Sequence, residues 1–365
     1  MTLRIVDDVL ARLDRARLAD VAPLVLSVGP VRLRLRCGPP GLRAELAAYF
    51  ADALSEDGPD ATRIDILEGQ SLDPAPDWVD WAREPGKTGR KDAIHDLADG
   101  RLVLKLRSGV TFLQSRAALV ALGPVGANAN QVINFINTQV LNACLRDGWQ
   151  ICHAAAVTNG VRTLAIAGLS SGGKSTAILR MMDLPGAAFV TNDRLMVRGG
   201  APVPTALGIP KHPRINPGTI LHNPRLHPLL TPERLAALSA MPPDALWHLE
   251  EKHDLIVPEI YGPGRLRLSA PLTDFWVLNW HRDTGAPTAV APVTLSDRSD
   301  LLGAIMKSAG PFYADASQRF QTDRTPLDLA AYLAALRNVR VCEVTGRVDF
   351  DALFDAGRHL LETRA

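Results

Sequence analysis

The feature that most constrains the fold is a glycine-rich bend between an apolar segment and a helical segment. Residues 162–167, Arg-Thr-Leu-Ala-Ile-Ala, have the composition of a buried strand, and the sequence Gly-Leu-Ser-Ser-Gly-Gly-Lys-Ser-Thr follows at residues 168–176. A helical stretch begins near Lys174 and ends before Pro185. A strand, a bend and a helix in this order are typical of α/β proteins, so we expect a sheet with helical cover.

The segment 168–176 matches the phosphate-binding P-loop pattern GxxxxGK[ST] at every fixed position. Glycines let successive backbone N–H groups turn toward phosphate oxygens, and the following helix presents its positive end to the same anion. Lys174 is expected to contact the β- and γ-phosphates, and Ser175 to bind Mg²⁺. The alternative is a glycine-rich helix start that binds no ligand. The predicted nucleotide-binding residues are Gly168, Ser170, Ser171, Gly172, Gly173, Lys174, Ser175 and Thr176.

A second polar group follows the next apolar run. Residues 187–190 lead into Thr191, Asn192 and Asp193. If this strand is the neighbour of the P-loop strand, Asp193 emerges at the carboxyl edge of the sheet, within reach of the metal. A carboxylate there can bind Mg²⁺ or accept a proton from an attacking hydroxyl. The alternative is a simple turn, since Asn and Asp both favour turns.

The segment 208–219 carries two further cations. Its three prolines and two glycines predict an ordered, non-helical loop. Lys211 and Arg214 are candidates to stabilise charge on a transferred phosphoryl group, and lysine is rare, with seven in the chain. The alternative is a surface loop with solvated charges. The nearby histidines lack the short, tight spacing of a usual zinc site.

The amino-acid composition limits the classes of binding partner that we expect for this protein. The 365 residues include 40 basic and 39 acidic ones, so no broad field exists to attract nucleic acid or an anionic membrane. No apolar run approaches the length of a transmembrane helix, and the four cysteines are scattered. We therefore expect a cytoplasmic protein with a local anion site, without nucleic-acid or membrane partners.

The chain is predicted to contain two domains. Residues 1–126 read as a smaller α+β domain of unknown role, in which residues 31–36 alternate apolar residues with arginines. That arginine row is either a phosphate or RNA surface or a solvated sheet face. Residues 128–145 have helical apolar spacing and could open the second domain, 127–365. The Asn159-Gly160 pair between two apolar runs predicts a tight hairpin before the P-loop.

At these residues the chain resembles the catalytic domain of the bacterial HPr kinase/phosphorylase, a P-loop Ser/Thr protein kinase related in fold to phosphoenolpyruvate carboxykinase. In that family a histidine opens the hairpin before the P-loop and an Asp-Asp pair ends the next strand. Here His153 and Asn192-Asp193 look like these elements. Residues 191–196 and 208–219 are similar to the branch called HPr-kinase-related kinase B. The resemblance covers residue 127 to the C-terminus.

The resemblance implies an α/β kinase domain of the HPr kinase type. It would use ATP and Mg²⁺ to phosphorylate a hydroxyl, Ser or Thr of a protein or peptide. His153 would orient Asp193. A small amphipathic protein or an ATP-grasp protein is implied as a partner, as is a homo-oligomer. Asn192 replaces the first Asp, and Thr176 replaces the family's Glu. The alternatives are a catalytically weak nucleotide-binding regulatory protein and a phosphorylase that runs the reverse reaction.

Overall fold

The computed structural model describes residues 3–83, 88–169 and 173–362. The chain forms two compact units, one of Met1–Asp147 with Ser308–Pro326 and one of Gly148–Lys307 with Leu327–Ala365. Both combine helices with sheets, so the mixed α/β class is confirmed, while the kinase type of that fold stays a prediction. Within the described residues, no helix combines the length and hydropathy needed to cross a bilayer.

The first unit is built on one eight-stranded mixed sheet. Its strands are β1 (Leu24–Val28), β2 (Val31–Cys37), β3 (Thr62–Glu68), β4 (Val79–Asp80), β5 (Asp92–Asp96), β6 (Gly100–Lys105), β7 (Thr111–Ser115) and β8 (Leu119–Gly123). Its helices are α1 (Val6–Leu10), α2 (Pro40–Tyr49) and α3 (Ala129–Arg146). The strand order is β1-β2-β3-β8-β7-β6-β5-β4, with β2, β3 and β8 parallel to one another.

The alternating row of arginines lies on β2, as predicted. The apolar residues of the strand are buried, and its arginines lie on the other face. Arg34 pairs with Asp57 at 2.7 Å, and Arg36 pairs with the buried Asp65 at 2.8 Å. Arg63 of β3 contacts the same carboxylate at 2.8 Å. At these positions the row is therefore an ion-paired sheet face.

The division between the units differs from the boundary expected near Gly126. Helix α3 exists as predicted, but it belongs to the first unit, because Phe135 stacks on Phe112 of β7 with ring centroids 4.6 Å apart. The segment Ser308–Pro326 also belongs there, although it lies within the predicted second domain. The side chain of Arg101 binds this segment by donating hydrogen bonds to its backbone carbonyl oxygens.

The second unit contains twelve described strands in three sheets. They are β9 (Gln150–Cys152), β10 (Ala155–Thr158), β11 (Thr163–Gly168), β12 (Ala188–Thr191), β13 (Leu195–Arg198), β14 (Thr205–Gly208), β15 (Arg214–Ile215), β16 (His253–Asp254), β17 (Ser269–Pro271), β18 (Asp274–Leu278), β19 (Ala289–Pro292) and β20 (Arg340–Thr345). The helices are α4 (Lys174–Met181), α5 (Pro217–Leu221), α6 (Pro232–Ser239), α7 (Pro243–His248), α8 (Val257–Tyr261), α9 (Ser299–Ile305), α10 (Leu329–Ala335) and α11 (Phe350–Glu362).

The central sheet has the order β12-β10-β11-β18-β20-β19, and β11 is parallel to β18. Successive residues of β11 enter different cores, as the period-two geometry of a strand requires. Leu164 and Ile166 pack with α4 and α11, whereas Ala165 packs with α9 and α10. The remaining sheets have the orders β17-β14-β13-β9 and β15-β16.

The predicted hairpin before the bend is confirmed, with a longer connection than a two-residue turn. Strands β10 and β11 pair antiparallel, and residues 159–162 join them. Gly160 alone takes the left-handed conformation, with φ of +94°. The Asn159 side chain instead accepts hydrogen bonds from the N–H groups of Val161 and Arg162, at 2.9 and 2.7 Å, and so stabilises the turn.

The condition that β12 directly neighbours the strand before the bend is not met, because β10 lies between β12 and β11. Both β11 and β12 are antiparallel to β10. Two antiparallel steps restore the direction, so β11 and β12 run the same way and end at the same edge of the sheet. Gly168, at the end of β11, and Asp193, after β12, therefore lie at one edge of the sheet, about two strand spacings, or roughly 10 Å, apart.

Candidate functional site

The helix after the bend starts where the motif predicts. Gly168 ends β11, and Gly173 is the N-cap of α4 with φ of +81°, so glycine is favoured there. Lys174 and Ser175 form the first turn of the helix, where backbone N–H groups have no partner within the helix. The predicted phosphate-binding residues Ser170, Ser171 and Gly172 lie outside the described residues.

A cavity of about 1010 Å³ opens at the start of α4, within the second unit. Its walls bring together predicted site residues from four separate parts of the sequence. These are His153, Gly173, Lys174, Ser175, Thr176, Asn192, Asp193, Lys211 and Arg214. The cavity therefore brings together residues that the sequence predicts to bind phosphate, to bind the metal and to neutralise charge.

Asp193 is the principal acidic group of this site. Its carboxylate lies 3.4 Å from His153 Nε2 and 3.6 Å from Arg194 Nε. Burial raises the pKa of Asp193, but contact with His153 and the charges of Arg194 and Lys211 outweigh burial and hold that pKa well below its usual range. The group is therefore an anion at neutral pH and a weak proton acceptor, which suits a metal ligand better than a base.

Lys174 interacts with Asp193 through charge. Burial lowers the pKa of Lys174, the negative charge of Asp193 opposes that shift, and the positive charge of Lys307 adds to it. The two groups on which the motif interpretation depends are thus electrostatic neighbours. Lys307, which directly follows Met306 after α9, is a cation near this site that sequence reasoning missed, and the scarcity of lysine was the available signal.

His153 is positioned by the backbone before β10. Its N–H donates to Ile305 O at 2.7 Å, and its side chain is half-buried in the cavity wall. The ring directs Nε2 toward Asp193, which agrees with the orienting role that the resemblance implies.

Asn192 and Thr176 have different surroundings. The amide oxygen Oδ1 of Asn192 is buried and has no hydrogen-bond partner among the described residues. Thr176 is also buried, but its hydroxyl is 2.9 Å from that of Thr219, so it joins α4 to α5. Asn192 therefore keeps an unused acceptor at the cavity, whereas Thr176 has a structural partner.

The two cations of the segment 208–219 are not equivalent. Lys211 lines the cavity and its charge acts on Asp193. Arg214 lies on β15, half exposed, and pairs with Asp254 of β16 at 2.8 Å. Its charge is already matched, so it braces the β15-β16 pair as well as bordering the cavity. The segment is also not entirely non-helical, because α5 begins at Pro217, where proline suits the first helical position.

The described part of the cavity wall has an excess of positive charge. Asp193 and Glu250 are its acidic residues. The basic residues are Lys174, Arg194, Lys211, Arg214, Lys252 and Arg282. Two of these, Arg214 and Arg282, have acidic partners of their own in Asp254 and Asp244. The other four still outnumber the two acids, so the site favours a polyanion.

The oxygen groups at the site fit Mg²⁺. The described residues hold no cluster of three or more His, Cys, Asp or Glu side chains. The Ser175 hydroxyl, the Asp193 carboxylate and the unpartnered Asn192 oxygen are instead hard donors at one cavity. Mg²⁺ in phosphate sites typically binds one or two protein oxygens and completes its shell with phosphate and water.

Another part of the cavity wall is apolar and aromatic, which sequence reasoning did not anticipate. It includes Leu246 and Trp247 of α7, His222, and Phe350 at the start of α11. These residues come from distant parts of the sequence and share no motif. Tertiary packing alone brings them to the cavity at the start of α4.

Comparisons with known proteins give a distant likeness. No protein-family model matches the chain, and no curated protein matches it. Among solved structures, it is similar to the Hpr(Ser) kinase/phosphatase from Coxiella burnetii, at 14% sequence identity and a TM-score of 0.29. The similarity covers 59% of this chain and 99% of that chain. The site residues, and not this similarity, support the function proposed below.

Proposed function

We propose that this protein is an ATP- and Mg²⁺-dependent kinase that transfers the γ-phosphoryl group to a hydroxyl, Ser or Thr of a protein or peptide. One observation carries the proposal. Lys174, at the start of α4, and Asp193, at the end of β12, line the same cationic cavity and interact electrostatically. A phosphate-binding helix start beside an ionised carboxylate is the arrangement that phosphoryl transfer requires.

Each residue has a distinct role in this proposal. The start of α4, with Lys174, binds the β- and γ-phosphates, and Lys211 and Arg194 neutralise charge on the group in transfer. The Asp193 carboxylate, the Ser175 hydroxyl and the Asn192 oxygen would hold Mg²⁺, which neutralises phosphate charge when bound. His153 orients Asp193 and is the proposed acceptor of the hydroxyl proton.

The low pKa of Asp193 separates metal binding from proton transfer. A carboxylate held ionised in this way accepts a proton poorly. Phosphoryl transfer through a loose transition state depends mainly on positioning and charge neutralisation, so a strong base is not required. In this proposal Asp193 therefore binds the metal ion that neutralises phosphate charge, and His153 accepts the proton of the attacking hydroxyl.

A second candidate is a nucleotide-binding regulatory protein with little transfer activity. Asn192 favours it, because its neutral amide stands where the related pattern has a carboxylate and cannot act as a base. The reverse reaction, in which inorganic phosphate removes the phosphoryl group, uses the same groups. Both candidates require the same phosphate site and differ in turnover.

The test is nucleotide binding and turnover in Lys174→Met. We expect affinity for Mg-ATP, measured by calorimetry, to fall at least about thirtyfold, because a half-buried cation at the proposed phosphate site is lost. Lys91→Met, an exposed residue of the first unit, is the matched control and should bind normally. Labelled ATP and mass spectrometry of candidate acceptors, including a second copy of the chain, then identify the phosphorylated residue.

The outcomes separate the candidates. Unchanged affinity in Lys174→Met would contradict any nucleotide function of this cavity. Tight binding by the wild-type protein without hydrolysis or transfer would favour the regulatory candidate. Release of label from a phosphorylated acceptor on addition of inorganic phosphate would establish the reverse reaction.

A further inference from the structure

An aromatic cluster borders the cavity next to the bend. It consists of Phe350, Trp280 and His222. The rings of Phe350 and Trp280 meet edge to face, 5.2 Å apart at 85°, and His222 lies 5.9 Å from Phe350 at 38°. Phe350 and His222 line the cavity, whereas Trp280 is 7% exposed and lies behind them. A ligand in the cavity can therefore reach the outer rings.

Phe350 touches the start of the phosphate-binding helix directly. A Cβ atom on Gly173 would lie 2.5 Å from Phe350 Cζ and 2.7 Å from Cε1. The ring is thus in contact with the backbone of the N-cap residue of α4. Gly173 is required both for its left-handed φ and for this close approach.

The position of the ring is fixed by packing between two helices. Phe350 begins α11, and α11 lies against α4, where Gly357 leaves room for the side chain of Met181. The same helices share one core, with Leu353 of α11 packed near Ile178 of α4. Because α11 is held to the helix that would bind the phosphates, the aromatic cluster keeps a constant distance from them.

We propose that Phe350 and His222, with Trp280 packed against Phe350, bind the base of the nucleoside triphosphate. This inference rests on the proposed function, because it needs the phosphates at the start of α4. Phosphoryl transfer itself has no use for aromatic rings, whereas a nucleobase is a flat π system that stacks on them. The cluster lies beside the helix N-cap, where a base joined through its ribose to bound phosphates can reach it.

Binding by stacking also predicts how strongly the site discriminates between nucleotides. Every base has a π face, so stacking alone discriminates weakly between bases. We expect ATP and GTP to bind with affinities within about tenfold of each other. Inorganic tripolyphosphate, which has no base, is expected to bind more weakly than ATP by about tenfold to a hundredfold.

The experiment compares ATP with tripolyphosphate in Phe350→Leu, both with Mg²⁺ and both by calorimetry. We expect the variant to lose about tenfold to a hundredfold in affinity for ATP and to bind tripolyphosphate within about threefold of the wild type. Phe354→Leu is the matched control, because this half-buried ring of α11 packs on the core rather than on the cavity. It should bind both ligands normally.

His222→Leu keeps the test decisive if Phe350→Leu is unstable, because His222 is exposed and its loss leaves the core intact. This variant should also bind ATP more weakly and bind tripolyphosphate with unchanged affinity. Equal losses for the two ligands in both variants, or equal affinity of the wild-type protein for ATP and tripolyphosphate, would overturn the base-binding role and leave the phosphate site in place. Failure of the wild-type protein to bind either ligand would instead overturn the proposed function.

Discussion

At the scale of single residues, Asn192 is the residue of the cavity that distinguishes the proposed functions. Its amide oxygen is buried without a partner among the described residues, next to the ionised Asp193, so it has the position of a ligand but not the charge of a base. A second carboxylate here would lie beside the first in a cavity with excess positive charge. Like charges in contact raise the pKa of one member, which would make that carboxylate a better proton acceptor.

Asn192→Asp is therefore expected to raise Mg²⁺-dependent ATP hydrolysis by at least about tenfold, the lower range of what a positioned base contributes. Hydrolysis is the useful measurement because it needs no identified acceptor. Asn216→Asp is the matched control, since its Oδ1 is also buried without a partner among the described residues and it lines the same cavity. It adds the same charge to the cavity at a residue that does not neighbour Asp193 in the chain, and it should give no increase.

Unchanged or slower hydrolysis in Asn192→Asp would contradict this prediction. In that case the amide of Asn192 is a working part of the site. An equal increase in both variants would mean that added negative charge, and not its position beside Asp193, controls the rate.

At the scale of elements, the close contact between β14 and β12 positions Asp193. A Cβ atom on Gly208, the last residue of β14, would overlap Val190 O of β12. Asp193 follows Thr191, the end of β12, by two residues. An atom added at Gly208 must therefore displace β14 or β12, and a shift of β12 would move Asp193.

Gly208→Ala should lower the free energy of unfolding by about 1–3 kcal/mol, as overpacking of a buried site usually does, and should also weaken Mg-ATP binding. Chemical denaturation and calorimetry measure the two effects. Gly303→Ala is the control, because a Cβ atom added to this exposed glycine of α9 would have no heavy atom within 4 Å and alanine favours helices. It should be neutral or stabilising by up to about 1 kcal/mol.

A Gly208→Ala protein with unchanged stability would show that β12 and β14 can separate without cost. Lost stability with normal Mg-ATP binding would show that Asp193 does not depend on this contact.

At the scale of the whole molecule, each unit has its own sheet and its own core, and the first one is completed by a segment distant in sequence. Arg101 is 3% exposed and donates to Pro311 O at 3.1 Å and to Gln321 O at 2.8 Å. Its guanidinium also lies 4.6 Å from the ring centre of Phe320. Removing this side chain leaves two carbonyl oxygens and the Asp96 carboxylate without their donor.

Arg101→Leu should destabilise the first unit by about 1–3 kcal/mol, the usual effect of leaving partly buried hydrogen-bond acceptors without their donor. Hydrogen exchange followed by mass spectrometry should show faster exchange in Ser308–Pro326 and β6, with β11 and β18 of the second unit unaffected. Arg319→Ala is the control in the same segment, because its side chain is 82% exposed and exposed pairs contribute at most about 1 kcal/mol. Equally faster exchange in both units would contradict their independence.

Local patterns predicted much of the second unit. The P-loop pattern located the start of α4, the Asn159-Gly160 pair located the β10-β11 hairpin, and the apolar run before Asp193 became β12. Each of these depends on neighbours in sequence: a glycine that tolerates positive φ, or a period of two in a strand. Such preferences act over a few residues, so a single sequence displays them.

The sequence by itself located β11 and the start of α4 on either side of the GxxxxGK[ST] pattern, located the β10-β11 hairpin and β12, and identified Lys174 and Asp193 as candidate site residues. Only the tertiary structure decided that β10 separates β12 from β11, that α3 and Ser308–Pro326 join the first unit, and that Phe350 lies against Gly173. The physical reason is the distance along the chain over which each kind of interaction acts. Backbone preferences are local, whereas strand order and side-chain packing join residues far apart in the chain, and their free energies depend on surfaces that exist only once the chain has folded.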